Sequence, residues 1–204
     1  AQNYASWWQE IDDLTNDGKP KSAVQVVDKI HKQAIKDDNG PQLIKAVIHE
    51  IKFNAEYEEE SLVASIERLK IEAEKANQPT QQVLYSLLAE MHWGYYQNNQ
   101  WRIQKRTATE GGDDNILTWD FKRIAHETDK YYQRSLNNTK ALKTPQLEEY
   151  EVVLTGTKRY RDLRPSLYRL LLSRALSFYS SEERNLINFD PANAYQEEIL
   201  LGST

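Results

Sequence analysis

The side chains best suited to acid–base chemistry or metal ligation are four histidines, His31, His49, His92 and His126. Each falls in a different apolar-periodic segment, and none has a second His or a Cys at ligand spacing. His49-Glu50 begins like the helix of a zinc protease, in which a second His four residues on completes the metal pair and the Glu acts as base. Position 53 is Phe, so that pair is incomplete. The expectation is histidines at the surface or partly packed, with a metal site assembled through space as the alternative. Glu56, Glu58, Glu59 and Glu60 could hold a cation or form a carboxylate pair. Placed just before an apolar-periodic stretch, they more simply complement the positive end of a helix. Gly111-Gly112 lacks the Lys and the preceding strand of a phosphate loop. No G-x-S-x-G elbow occurs, so a hydrolase triad has no anchor. The chain has no Cys, which excludes disulfides, thiolate metal sites and a Cys nucleophile. Neither cofactor nor catalytic constellation is expected.

Lys158, Arg159, Tyr160, Arg161 and Arg164 form the most basic patch. It suits an acidic partner segment, or it pairs with carboxylates of neighbouring helices; the acidic balance of the chain favours internal pairing. A net charge of −5 argues against nucleic acid, because phosphate binding needs a clustered cationic surface. Five Trp and twelve Tyr fall mostly on helical stripes, where core packing is the default. An exposed remainder would point to a peptide or domain contact.

The elements that must carry these residues are helices. With 39% hydrophobic residues, 7 Gly and 6 Pro in 204 positions, the core has to be drawn as stripes on amphipathic helices. Ser6 to Gln9 reads as a capping box, and Asp17-Gly18 as the end of a first helix. Pro20 opens a second with Ala23, Val27, Ile30 and Ala34. Pro41 opens a third with Ile44, Val47, Ile48 and Ile51. A fourth follows Glu60 with Leu62, Ile66, Leu69 and Ala73. Pro79 opens a fifth, with Val83, Leu84, Leu87, Leu88, Met91 and Tyr95. These starts recur about every twenty residues, near the period of tetratricopeptide and HEAT pairs. The tetratricopeptide signature is absent, so only the architecture is implied. Residues 101–115 read as a long loop. Thr118 caps a sixth helix, Thr144-Pro145 starts a short seventh, and Asp190-Pro191 a last short one.

The most apolar stretch is Leu163–Tyr179. Ser166, Arg169, Ser173, Ser177 and Ser180 make a narrow polar strip, and leucines and aromatics cover the rest. Such a helix is expected to begin at Pro165 and to be surrounded by others. Arg174, inside the apolar arc, should pack its stem while its head snorkels or pairs with a carboxylate. The fold expected is a single all-α domain over 1–204, with antiparallel helix pairs stacked as a tetratricopeptide-like superhelix or bundle of about eight or nine helices. Residues 1–98 form the regular pairs and 116–200 the C-terminal helices. No stretch reaches the ~18 apolar residues of a spanning helix, so direct membrane insertion is not expected. The start AQNYASWW is already polar and helical, so an exported precursor would have been trimmed before Ala1.

Four stretches carry a resemblance to a known family. They are Lys19-Pro20-Lys21-Ser22-Ala23 with Val26-Val27-Asp28-Lys29-Ile30; Pro41-Gln42-Leu43-Ile44-Lys45-Ala46; Trp101 with Arg106-Thr107 and Thr118-Trp119-Asp120; and Leu163-Arg164-Pro165-Ser166-Leu167-Tyr168 with Ser173-Arg174-Ala175-Leu176. In these the chain resembles the N-terminal helical region of the large alpha-2-macroglobulin-like proteins of Bacteroidetes. It departs at Ser166, Arg169 and Ser173, where the family pattern has Thr, Asp and His. The resemblance implies a fragment of a much larger exported protein of the periplasm or cell envelope. It implies a non-catalytic helical scaffold or interaction domain ahead of protease-trapping macroglobulin β-domains. The implied partners are those β-domains, an envelope protein or a protease. The thioester of some relatives needs a Cys that this chain lacks. A stand-alone tetratricopeptide-like adaptor binding peptides is the alternative.

Overall fold

The computed structural model describes residues 4–55, 60–106, 114–143, 150, 166–181 and 183. Its α-helices are α1 (Tyr4–Asn16), α2 (Pro20–Lys36), α3 (Gly40–Ala55), α4 (Glu60–Lys75), α5 (Thr80–Gln104), α6 (Phe121–Leu136), the single turn α7 (Thr139–Lys143) and α8 (Leu167–Tyr179), with a 3₁₀ turn at Ile116–Thr118. Among the described residues there is no strand, so the protein is all-α with seven helices of full length. Consecutive helices from α1 to α6 pack on one another, α3 also reaches α5, and α8 lies against α5, α6 and α7. Short segments join α1 to α2, α2 to α3 and α4 to α5. Gly18 (φ +70°) ends α1; its N–H donates to Thr15 O, and that of Lys19 to Leu14 O at 2.8 Å. This Schellman closure needs the left-handed conformation that glycine adopts without a Cβ clash. Pro20 then starts α2.

Two cores result. Trp8, Ile11, Ala23, Val27, Ile30 and Ala46 form a small one between α1, α2 and α3. A larger one runs from Ala34 and Leu43 through α4, α5 and α6 to Phe178. The centre of the large core is α5 rather than the Leu163–Tyr179 segment. Leu84, Leu88, Ala89 and Tyr96 of α5 are fully enclosed, and α5 meets α3, α4, α6 and α8. On α8 only Leu167, Leu171, Ala175 and Phe178 are buried, while Leu176 is 39% exposed. The apolar count of α8 is high, but only one of its faces has a partner among the described residues. Arg174 pairs with Glu90 of α5 at 3.2 Å, one of the two arrangements expected of a cation in the apolar arc.

Several boundaries differ from the sequence reading. α1 starts at Tyr4, ahead of Ser6, and the Tyr4 hydroxyl donates to Asp37 at 2.6 Å. Asp120, not Thr118, caps α6, accepting from Arg123 N at 2.8 Å. Thr118 instead donates to Asn115 O within the 3₁₀ turn. Ser166 caps α8, which begins at Leu167. The expected loop from 101 is helix as far as Gln104. α5 kinks at Asn99 (φ −130°, ψ 20°), where the side-chain amide donates to Tyr95 O at 2.9 Å, one of the recognised causes of a kink. The Thr144-Pro145 and Asp190-Pro191 helix starts lie outside the described residues.

Candidate functional site

The groups with chemical potential collect at the junction of α2, α3 and α4. On α2, Asp28 and His31 sit one turn apart, and on α4 so do Arg68 and Glu72; Glu50 of α3 lies beneath. Arg68 Nη2 donates to Glu50 Oε1 at 3.0 Å, with the Glu50 side chain 7% exposed and that of Arg68 48%. His31 Nε2 stands 3.5 Å from Glu72 Oε2. That separation suits an electrostatic pair but is too long for a well-formed hydrogen bond, and His31 Nε2 has no other acceptor or donor.

Burial governs the proton equilibria here. It pushes the Glu50 carboxyl up to about 7, against the pull of Arg68 and with added repulsion from Asp28 and Glu72. Burial also holds His31 below its ordinary range, outweighing the nearby Glu72 carboxylate. Glu50 therefore changes charge near neutrality from a position largely withdrawn from solvent, while Asp28 and Arg68 of the same cluster reach the surface. Three carboxylates and one His belong to this cluster, yet no grouping of His, Cys, Asp or Glu among the described residues has metal-site geometry.

A second polar region lies on the other side of α3. A groove of about 530 Å³ between α1 and α3 is lined by Ile11 and Phe53 at its floor and by Asp12, His49 and Lys52 among its polar groups. The His49 ring lies 4.8 Å from that of Trp8, and Lys45 Nζ sits 4.0 Å over the Trp8 ring. Burial, then Lys45 and Lys52, keep His49 below its usual pKa. The groove thus offers both charge signs around an aromatic base and a neutral imidazole.

The remaining histidines divide. His92 is wholly buried on α5. Its ring lies 5.7 Å from that of Trp119 and 5.3 Å from that of Tyr131, and its Nδ1 is 2.6 Å from Leu88 O. Burial lowers its pKa to about 4, so it is a neutral core residue at ordinary pH. His126 is exposed on α6. The expectation of surface or partly packed histidines thus fails for His31 and His92, which are buried because α2 and α5 each turn that position inward. Of the sites expected from sequence, Lys158, Arg159, Tyr160, Arg161 and Arg164 lie outside the described residues. So do Glu56, Glu58 and Glu59 of the acidic run, whose last member, Glu60, is the first residue of α4. The α2–α3–α4 cluster was not foreseen. The spacings Asp28/His31 and Arg68/Glu72 were the visible trace, since each puts two charges on one helix face.

Arg106 makes the third notable arrangement. Its Nη1 donates to Trp119 O at 2.7 Å and its Nη2 reaches the Tyr95 hydroxyl at 3.4 Å. One guanidinium thereby ties the end of α5 to the entry of α6, over the His92–Trp119 stack.

Against this geometry, no protein-family model, no curated protein and no solved structure matches the chain.

Proposed function

We propose that this chain is a non-catalytic helical scaffold of an exported, alpha-2-macroglobulin-like envelope protein, packing against or presenting the β-domains of the same protein. One observation carries the reading: described residues from each of the four family-like stretches hold the helices together. Lys19-Pro20 follows the Schellman turn and starts α2, whose Ala23, Val27 and Ile30 fill the small core. Leu43, Ile44 and Ala46 divide α3 between the two cores. Arg106, Trp119 and Asp120 join α5 to α6. Ser166, Leu167 and Ala175 cap and seat α8. A likeness concentrated in such positions fits a shared framework with no shared reaction. Glu50, His31 and Glu72 of the α2–α3–α4 cluster are largely withdrawn from solvent between the helices, which also suits a structural role.

The reading frame on both sides of the chain tests this. An export signal upstream and β-rich domains downstream are expected, and calorimetric titration of the chain with the adjoining β-rich region should give saturable binding. A frame with no β-rich continuation would sink the proposal. The second reading, a peptide-binding adaptor, draws on the α1–α3 groove, whose size lies in the range of ligand sites. It requires saturable peptide binding that is lost in Phe53→Ala and retained in His126→Ala.

A further inference from the structure

The groove between α1 and α3 holds polar groups that the fold leaves unengaged. Trp8 Nε1 donates to Gln42 Oε1 at 2.7 Å and ties the two helices together. Further along both helices lies the space of about 530 Å³, with Asp12 and Asn16 on its α1 side and His49, Lys52 and Phe53 on its α3 side. Positions three and four apart share a helix face, so each helix brings its own set to the same wall.

The polar groups around the groove divide in two. Gln9 donates to Asp13 at 3.0 Å, Thr15 donates to Ile11 O at 2.7 Å, and Lys45 Nζ rests over the Trp8 ring at 4.0 Å. Asp12, Asn16, His49 and Lys52 make no hydrogen bond or ion pair with a described residue, although all four line the same space. Asp12 and Lys52 are near enough to act on the His49 imidazole, yet these opposite charges do not pair with each other. Around the groove, Asp12 and Asp13 balance Lys45 and Lys52, so neither a simple anion nor a simple cation is selected. A ligand with one charge of each sign satisfies both free ends. Ile11 and Phe53 supply a floor for a hydrocarbon side chain, and Asn16 and neutral His49 supply further donors and acceptors. An ammonium, a carboxylate and an apolar group on one small molecule are the parts of a free amino acid.

We propose that the α1–α3 groove binds a free α-amino acid with an aliphatic or aromatic side chain, its ammonium at Asp12, its carboxylate at Lys52 and its side chain on Ile11 and Phe53. The inference stands apart from the scaffold reading. It shares a groove with the adaptor reading but needs free charges where a bound peptide has amides. Its test is a titration of the isotope-labelled chain, followed by NMR, with L-phenylalanine, with N-acetyl-L-phenylalanine amide and with 3-phenylpropionate. Saturable shifts centred on residues 8–16 and 45–53 are expected with phenylalanine. Each charge-assisted contact removed should weaken binding about tenfold. The blocked amide, lacking both charges, should therefore bind far more weakly, a comparison that needs no variant. Asp12→Asn should weaken phenylalanine about tenfold without weakening 3-phenylpropionate, which has no ammonium, whereas Lys52→Gln should weaken both. Absence of saturable phenylalanine binding, or shifts centred outside the groove, would overturn the proposal. Equal or tighter binding of the blocked amide would also overturn it while leaving the adaptor reading intact.

Discussion

Glu50→Gln should make the protein more stable at alkaline pH while changing little in acid. The folded protein holds the Glu50 proton up to about pH 7, against an ordinary carboxyl value of 4.5. Between those values the native state retains a proton that the unfolded chain has released, so stability falls as pH rises. The contribution is fully present below 4.5 and gone once pH has passed through 7. Two and a half pH units at about 1.4 kcal/mol each give roughly 3 kcal/mol. Little solvent screening applies to a side chain that is 7% exposed. Gln keeps the shape and an acceptor for Arg68 but has no charge to bury. Urea unfolding followed by far-UV circular dichroism, from pH 4.5 to 8.5, gives the difference between parent and variant directly. That difference should be near zero at the acid end and approach about 2–3 kcal/mol in favour of the variant at the other, with equal denaturant slopes. His31 and His92 act in the opposite sense as pH falls, but they are common to both proteins and cancel. A difference that does not change with pH, or a variant less stable at pH 8.5, would refute the assignment of burial as the dominant cause.

His92→Phe retains an aromatic ring against Trp119 and Tyr131 but removes a buried base; since the folded His92 binds its proton only near pH 4, the parent should lose about 3 kcal/mol between pH 6.5 and 4 that the variant keeps, read from the same unfolding series. Gly40→Ala would bring a Cβ to 2.0 Å from Thr80 Oγ1 and should cost about 1–3 kcal/mol; Thr80→Ala in the same chain should recover much of it, and additive losses in that double-mutant cycle would disprove the clash. Arg106→Met removes the charged donor to Trp119 O and should cost about 1.5–3 kcal/mol, with near-UV circular dichroism reporting the loosened Trp119 ring; an unchanged melting temperature would contradict the clamp.

Most helices were legible because apolar residues recur at three and four positions between Gly and Pro punctuation. Gly18, Pro20 and Pro41 do in space what they announce in sequence. The end of α5 was not legible. Residues 101–115 read as loop from Trp101 on, and only the Asn99 amide bonded to Tyr95 O explains why the helix bends there and continues to Gln104. The central role of α5 was hidden for a related reason. Sequence shows how many apolar residues a helix has, whereas enclosure depends on how many neighbours reach it. Thus α8, with more leucines, is covered on one face and α5 on nearly all. At the α2–α3–α4 cluster, the pairs Glu50–Arg68 and His31–Glu72 join residues 18 and 41 positions apart, so local spacing could indicate charged faces but not their meeting.

The division of the interior into two cores has a mechanical consequence. α3 acts as a party wall: Ala46 belongs to the small side, Leu43, Ile44 and Val47 to the large. α1, whose buried Trp8 and Ile11 both belong to the small side, can therefore lift away and re-seat while the rooms beyond the wall stay sealed, whereas α2 also lends Ala34 to the large side and stays. Amide exchange should register this as two tiers of protection, with α1 in the faster one, and a protease would cut first at the Gly18 hinge.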